Sequence, residues 1–410
     1  MKIQVFKSIN GISSLGDSPE NGLFADAKGC VPQPLDFKAL ADLCYTNTWH
    51  DRCLSVKSKV IAGLGFDILC EELPEEVRTL IAKPNPEYSF LEFSVRLQYD
   101  LELYGNAYIE VVRLGGAVVG FYHLPARDVF VRKDRQGFWQ KGGAGVGFCN
   151  FKALPFVAQG RDAAATSGRE LIHLKKYSVQ SSYYGMPEWL GSLVALATHQ
   201  QVGEFNLRFF ANSGMPDLAL IIEGGSMNEE DMDTLQSYLA ENIKGVVNAH
   251  KTVIIPVKER DVHVRIEKLS DIKEGSFKLL KDLTRDEIVS AHGVPPRLVS
   301  ILSAGGLGGS GEGIAQLSTF MNIDVVPGQS RLEYTLNNSF QAMFGVDPQI
   351  KFWEMEIMSY PEKINSYSLA VQTGILTVNE VRKELGYPDK EESGGDWLAE
   401  LRSLRGEWGD

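Results

Sequence analysis

Residues 277–298 read FKLLKDLTRDEIVSAHGVPPRL, a helical run brought to a hard stop. Ile272, Leu279, Leu280, Leu283, Ile288 and Ala291 recur near helical spacing, which predicts a helix over residues 271–292. Gly293 and then Pro295-Pro296 end it, the glycine by its freedom at a helix C-terminus and the prolines by their missing N–H. Thr284 and Glu287 repeat a capping-box pattern inside the run, which predicts a break near Leu283. Upstream, residues 191–212 predict a partner helix, roughly 30 Å long at about 1.5 Å per residue. Asn212-Ser213-Gly214-Met215-Pro216 closes it. Between the two helices lie strand-like runs at 218–222, 252–257 and 262–266. A helix at 228–243 stands among them, capped by Asn228, with Glu229, Glu230 and Asp231 in its first turn. Two long helices around a small α/β insertion make the fold class α+β.

Working outward, residues 1–40 are rich in Gly, Ser, Pro and Asn and predict a mobile arm. Residues 37–61 and 89–104 carry helical spacing. Residues 107–113 and 118–122 are β-rich runs around Gly115-Gly116 and read as a hairpin. Val129-Phe130-Val131 and Ile172-His173-Leu174 extend the β character, and residues 136–168 read as loops with short strands. Past the second helix, residues 303–313 hold six glycines in eleven positions and read as a flexible loop. A long helix at 314–344 follows, with Leu332, Leu336, Phe340, Met343 and Phe344 as its stripe and Pro327 as its kink. Thr377 and Glu380 form a capping box for a last helix that Gly386 and Pro388 end.

The 410 residues give room for two to four domains at about 100–200 residues each. With 44% hydrophobic and 23% charged residues the composition is that of a globular protein. The net charge of −12 argues against a protein that grips nucleic acid by its phosphates, because that needs a basic stripe. Cys30, Cys44, Cys53, Cys70 and Cys149 are odd in number and lack CxxC spacing, so reduced thiols in a cytosolic setting are expected rather than disulfides or zinc. The N-terminus shows no apolar secretory core, and no run approaches the ~18 apolar residues of a membrane span.

Motifs for chemistry are scarce. Gly306-Leu307-Gly308-Gly309-Ser310-Gly311 fits G-x-G-x-x-G, but a helix and Pro295-Pro296 precede it instead of a strand, and no Lys-Ser/Thr follows. His50, His123, His173, His199, His250, His263 and His292 form no metal-ligand spacing, although His263 and Arg265 alternate on one strand. Glu71-Glu72 and Glu75-Glu76 read as solvated helix ends. No catalytic residue, metal or cofactor is expected.

Several stretches then resemble the phage portal family, PBSX-like branch, in the order they occur. They are Leu103-Tyr104-Gly105-Asn106-Ala107-Tyr108, Leu124-Pro125-Ala126, Tyr183-Tyr184-Gly185-Met186-Pro187-Glu188-Trp189-Leu190 and Phe209-Phe210-Ala211-Asn212-Ser213-Gly214. The 277–298 run, the glycine-rich loop, Val326-Pro327 with Arg331 to Asn337, and Gly374 to Arg382 complete the set. The resemblance implies a portal fold: an arm at 1–40, a wing at 41–190, stem helices at 191–214 and 269–300, and a clip at 215–268. It further implies a tunnel loop at 301–313, a long wing helix at 314–345, and wing completion with a short crown at 346–410. Ser303, Gly305, Gly306, Leu307, Gly308, Gly309, Ser310 and Gly311 would then face DNA in the channel.

The implied role is non-enzymatic. The chain would form a homo-oligomeric ring of twelve subunits at one capsid vertex of a virion, assembled in the host cytoplasm. Double-stranded DNA would pass through without tight binding. The implied partners are the terminase large subunit, the major capsid or scaffold protein and the head-tail connector, with no membrane. Two rival expectations are a nucleotide-binding enzyme using Gly306 to Gly311 and another ring-forming virion structural protein.

Overall fold

The computed structural model describes residues 19–142, 146–150, 169–211, 218–223, 263–268, 274–301, 310–358 and 360–389, with Asp233 and Ser237 as isolated positions. They fall into two units, Met1–Met355 and Glu356–Asp410.

In the first unit, α1 (Pro19–Ala27), α2 (Phe37–Thr46) and α3 (Thr48–Ala62) lead to a short strand, β1 (Phe66–Ile68), and α4 (Glu75–Ala82). The mobile arm expected over residues 1–40 is therefore corrected for its latter half. Ala25, Cys30, Leu35 and Phe37 are buried, and Phe24 packs its ring 5.1 Å from that of Phe130. Apolar side chains outweigh the polar composition of this stretch, and Gln33 fixes the path by donating from Nε2 to the carbonyls of Ala126, Arg127 and Val129. Side-chain caps then set the helix starts. Asp36 accepts from the N–H groups of Lys38 and Ala39, and Asn47 from those of Trp49 and His50, so α2 and α3 are two helices where the spacing suggested one run.

Helix α5 (Phe90–Tyr104), capped by Ser89, turns at Gly105 into β2 (Asn106–Leu114), which pairs with β3 (Ala117–Leu124) as the expected hairpin. A single 3-10 turn at Ala126–Asp128 precedes β4 (Val129–Val131), β5 (Gly137–Gln140), β6 (Val146–Asn150) and β7 (Arg169–Lys175). Together they form a six-stranded sheet in the order β3-β2-β7-β6-β5-β4, antiparallel except where β6 meets β7. Tyr108 and Leu171 on the sheet pack with Phe37, Leu54, Tyr104, Tyr184 and Trp189 in the main core.

A 3-10 turn at Glu188–Ser192 opens α6 (Leu193–Ala211), which leads to the antiparallel pair β8 (Leu218–Glu223) and β9 (His263–Lys268). The helix expected at 228–243 and the strand expected at 252–257 lie outside the described residues, apart from helical Asp233 and Ser237. Helix α7 (Glu274–Ala291) packs on α6. It has no break at Leu283: Thr284 Oγ1 donates back to the carbonyls of Leu280 (2.9 Å) and Lys281 (3.2 Å), so its hydroxyl is used within the helix instead of capping one.

Helix α8 (Ser310–Phe320) runs through a π turn (Met321–Val325) into α9 (Val326–Phe344), and β10 (Ile350–Phe352) returns to pair with β1. The expected helix start at Ile314 thus moves back to Ser310, and the expected kink at Pro327 takes the form of the π turn. The second unit carries α10 (Tyr360–Gln372) and α11 (Val378–Glu384). Both arms of the Thr377–Glu380 capping box are made, Thr377 N donating to Glu380 Oε2 at 2.7 Å and Glu380 N to Thr377 Oγ1 at 3.3 Å.

Candidate functional site

Three of the quoted stretches, Leu103–Tyr108, Tyr183–Leu190 and the end of the 277–298 run, meet at the base of α6 and α7. Gly105 ends α5 at φ +71°, and a Cβ there would stand 2.5 Å from the carbonyl carbon of Met186. A Cβ on Gly185 would overlap the carbonyl oxygen of Gly105, which already accepts from Lys176 N at 2.8 Å. Only glycine fits at either place. Asn106 closes the contact: its Nδ2 donates to Gly185 O at 3.0 Å, and its Oδ1 accepts from Gly185 N at 2.8 Å. One side-chain amide thereby satisfies both backbone groups of a buried residue. The neighbouring aromatics complete the seat of α6. Tyr184 Oη donates to Val31 O (2.8 Å) and accepts from Val131 N (2.9 Å), and Trp189 Nε1 donates to Glu102 O at 3.0 Å.

Beneath this seat lies a group of charges in which Lys57, Lys176 and Glu102 are buried, Asp324 is half-buried and Glu188 reaches the surface. Lys57 of α3, only 5% exposed, donates to Asp324 Oδ1 at 2.6 Å and to the carbonyl of His292 at 3.3 Å. Its Nζ also lies 3.6 Å from Glu102 and 3.7 Å from Glu188. Lys176 donates to Glu102 at 2.9 Å and stands 3.4 Å from Glu188. The second oxygen of Glu102 accepts from Gln98 Nε2 at 2.8 Å. Two ammonium groups therefore face three carboxylates drawn from α5, the turn before α6 and the π turn. Burial works against the charge on Lys57, but Glu102 and Asp324 outweigh it and hold its pKa above the ordinary lysine value. Burial pushes the Glu188 carboxyl up, yet Lys176 and Lys57 more than offset this and its pKa ends below the usual range. Both groups stay charged, and the charges tie α3, α5, the start of α6 and the end of α7 into one knot.

Two histidines sit against it. His50 Nδ1 and His292 Nε2 are 3.0 Å apart, and the His292 ring stacks on Trp189. Burial pushes His50 down to about 3; His292 is driven well below 6.5 by burial, by His50 and by the two lysines. Both are neutral, so one donates to the other. Sequence spacing gave no pair here, because 242 residues separate them.

The π turn explains how Asp324 reaches Lys57. Val326 N donates to Met321 O, an i→i+5 bond, and Pro327 directly follows. A proline has no N–H to give the carbonyl four residues back, and its ring would clash there, so the wider turn accommodates it. Contacts repeat four residues on: a Cβ at Gly328 would lie 2.9 Å from Ile61 Cδ1, so α9 runs close along α3. An open cleft of about 550 Å³ lies between the end of α7 and α8, with Val289, Val294 and Phe320 in its floor and Ile323 and Asp286 at its rim.

Ser303, Gly305, Gly306, Leu307, Gly308 and Gly309 lie outside the described residues, while Ser310 and Gly311 begin α8. The 3-10 turn Pro296–Val299 stands where a dinucleotide fold would place a strand. His263 and Arg265 both lie on β9. Cys30, Cys44, Cys53 and Cys70 are free thiols, and burial pushes Cys53 up to about 12. Among the described residues no group of three or more His, Cys, Asp or Glu could hold a metal ion, and no helix is long and apolar enough to cross a membrane. Sequence spacing alone does not bring the members of the charged knot together. One signal was available: Lys57 falls in the apolar stripe of α3, with Cys53, Leu54, Val60 and Ile61.

The family model described as phage portal protein matches residues 50–386. The phage-like element PBSX protein XkdE of Bacillus subtilis (strain 168) is 31% identical over 142 residues, 31% of this chain and 28% of that protein. The probable portal protein of Escherichia phage P2 is 20% identical over 308 residues, covering 73% of this chain and 77% of its own. Among solved structures, a chain from the neck of a native gene transfer agent particle, computed with C12 symmetry, superposes with a TM-score of 0.60. It is 20% identical and covers 91% of this chain and 100% of its own.

Proposed function

The chain belongs to the phage portal protein family, and from that premise we propose that it forms a closed ring at one capsid vertex, the channel through which DNA is packaged and ejected. The observation that carries this reading is the family match over residues 50–386, which spans the knot, both long helices and the long bent helix. In this reading α6 and α7 are the stem. The segment holding β8 and β9 is the clip, where terminase during packaging and later the head-tail connector dock. The sheet with α2–α5 and α9 is the wing, and α10 and α11 belong to wing completion and a short crown. Ser303 to Gly311 serve as the tunnel loop facing the duplex. The number of subunits is twelve, a count supported by the C12 symmetry of the gene transfer agent neck that shares the fold.

Charge fits this role. A conduit must let a polyanion slide, and a surface that binds phosphates tightly would stall it through salt-dependent affinity. A chain of net charge −12 with a loop of Gly, Ser and Leu offers contact without such traps. The family is a structural component of virions, and ATP hydrolysis for packaging falls to a partner.

Native mass measurement with electron-microscope class averages tests the proposal. The expected result is a ring of about twelve 45.4 kDa chains around an opening wide enough for a duplex of roughly 20 Å, since the channel must pass intact double-stranded DNA. A closed ring without an opening would instead place the chain among other virion structural components.

A further inference from the structure

A π turn is a strained register, and it persists only where its surroundings hold it. Here two features act on Met321–Val325: Pro327 on its C-terminal side, and the buried Lys57, which pulls Asp324 inward. They act differently. Pro327 is exposed and disfavours the α register. Lys57 rewards the π register, because only there does Asp324 face α3. Removing the extra residue from the turn would swing α8 by about 100° about its axis and advance it by roughly 1.5 Å relative to α9. The open cleft of about 550 Å³ between α7 and α8 leaves room for that movement.

Lys57 is shared. The same Nζ bonds the carbonyl of His292 just past α7 and lies beside Glu188 at the start of α6. A displacement of the helix-pair root therefore draws on the ammonium group that holds Asp324. We propose that Met321–Val325 is a register switch with Lys57 as its latch, coupling the root of α6 and α7 to the rotation of α8. Arg297, which packs over Gly313 so closely that a Cβ there would overlap its guanidinium, is the contact that α8 must break when it turns. The inference concerns the fold of one subunit and goes beyond the channel reading.

Amide hydrogen exchange on the full-length protein tests it, with Pro327→Ala, Asp324→Asn and the double variant compared with the parent. With the latch intact, Pro327→Ala keeps the π register and exchanges at residues 321–326 as the parent does. Asp324→Asn leaves the turn without its hold, so exchange there rises by about tenfold or more. It also rises at residues 188–194 and 288–294. The double variant settles into a continuous α-helix, and protection across 314–330 exceeds that of the parent. Full α-like protection in Pro327→Ala alone would overturn the latch, because the proline would then be the whole cause. A rise in Asp324→Asn confined to 321–326 would overturn the coupling. Neither result touches ring formation, which native mass reads separately. Pro327→Ala alters an exposed position, and Asp324→Asn leaves Lys57 with Glu102 and Glu188, so both variants keep the fold needed for the readout.

Discussion

Helix α5 and helix α7 are similar in length and opposite in finish. Ten of the fifteen residues of α5 are buried, and it lies between α3 and the sheet with Asp100 and Glu102 spent on internal partners. On α7, Leu279, Leu280 and Leu283 are exposed, and its neighbour α6 leaves Val194 and Leu207 outside as well. One part of the chain completes its own core; the other presents aliphatic surface that a soluble monomer would not be expected to display in such a row. The boundary between them is the charged knot, whose Lys57, Lys176 and Glu102 are buried like the interior although it anchors the unfinished pair. In a ring, subunit contacts are heterologous and must close, and an incomplete helix pair on a completed base suits that arrangement.

The comparison breaks most readily at Lys57. If the knot belongs with the interior, Lys57→Ala strands Asp324 and costs about 3–5 kcal/mol, the usual penalty for removing one partner of a buried pair. Urea unfolding measures this, and a loss below 1 kcal/mol would move the knot to the surface side of the comparison.

Acid sharpens it next. His50 and His173 are both pushed down to about 3, His50 by burial and His173 by burial and Lys175, so in the folded chain they stay neutral where an unfolded histidine takes a proton near 6.5. Their folded pKa values are lowered, so the stability they permit is full above about 6.5 and is lost as pH falls toward 3. Each removes about 1.4 kcal/mol per pH unit within that window. Melting temperature followed from pH 7 to pH 4.5 should fall steeply, and His173→Gln should flatten the slope.

The smallest effect on the subunit belongs to the helix pair. Leu207→Ser and Leu283→Ser, at positions 72% and 57% exposed, should shift unfolding stability by no more than about 0.5 kcal/mol. The ring fraction by native mass should nonetheless drop. Rings that survive both replacements would show that the aliphatic row is not where subunits meet.

Much of the fold was legible because its signals are local. The Gly115-Gly116 hairpin, the stop after α7 and the Thr377–Glu380 box are each written within a few residues. The pairing of β1 with β10 was not, since two three-residue strands almost three hundred positions apart carry no periodicity. The break expected near Leu283 is absent because a capping pattern and a hydroxyl bonded back into its own helix, here that of Thr284, share the same letters. The folded stretch from Pro19 was hidden by its composition, although Phe24, Leu35 and Phe37 supplied the apolar anchors. The knot was legible only as an oddity, one lysine in an apolar stripe. Its partners Glu102, Lys176 and Asp324 become neighbours only when the elements pack.

The contact of Gly105 with Gly185 has a mechanical meaning. Where side chains separate two segments they form a compressible layer, and a push on one reaches the other late and diminished. Here backbone touches backbone, and Asn106 bolts the joint from the side. Torque applied along α6 therefore enters β2 with almost no slack, and the sheet turns as the footing of a lever. The wide turn at Met321–Val325 is the opposite kind of joint, a register held by side chains that can be released.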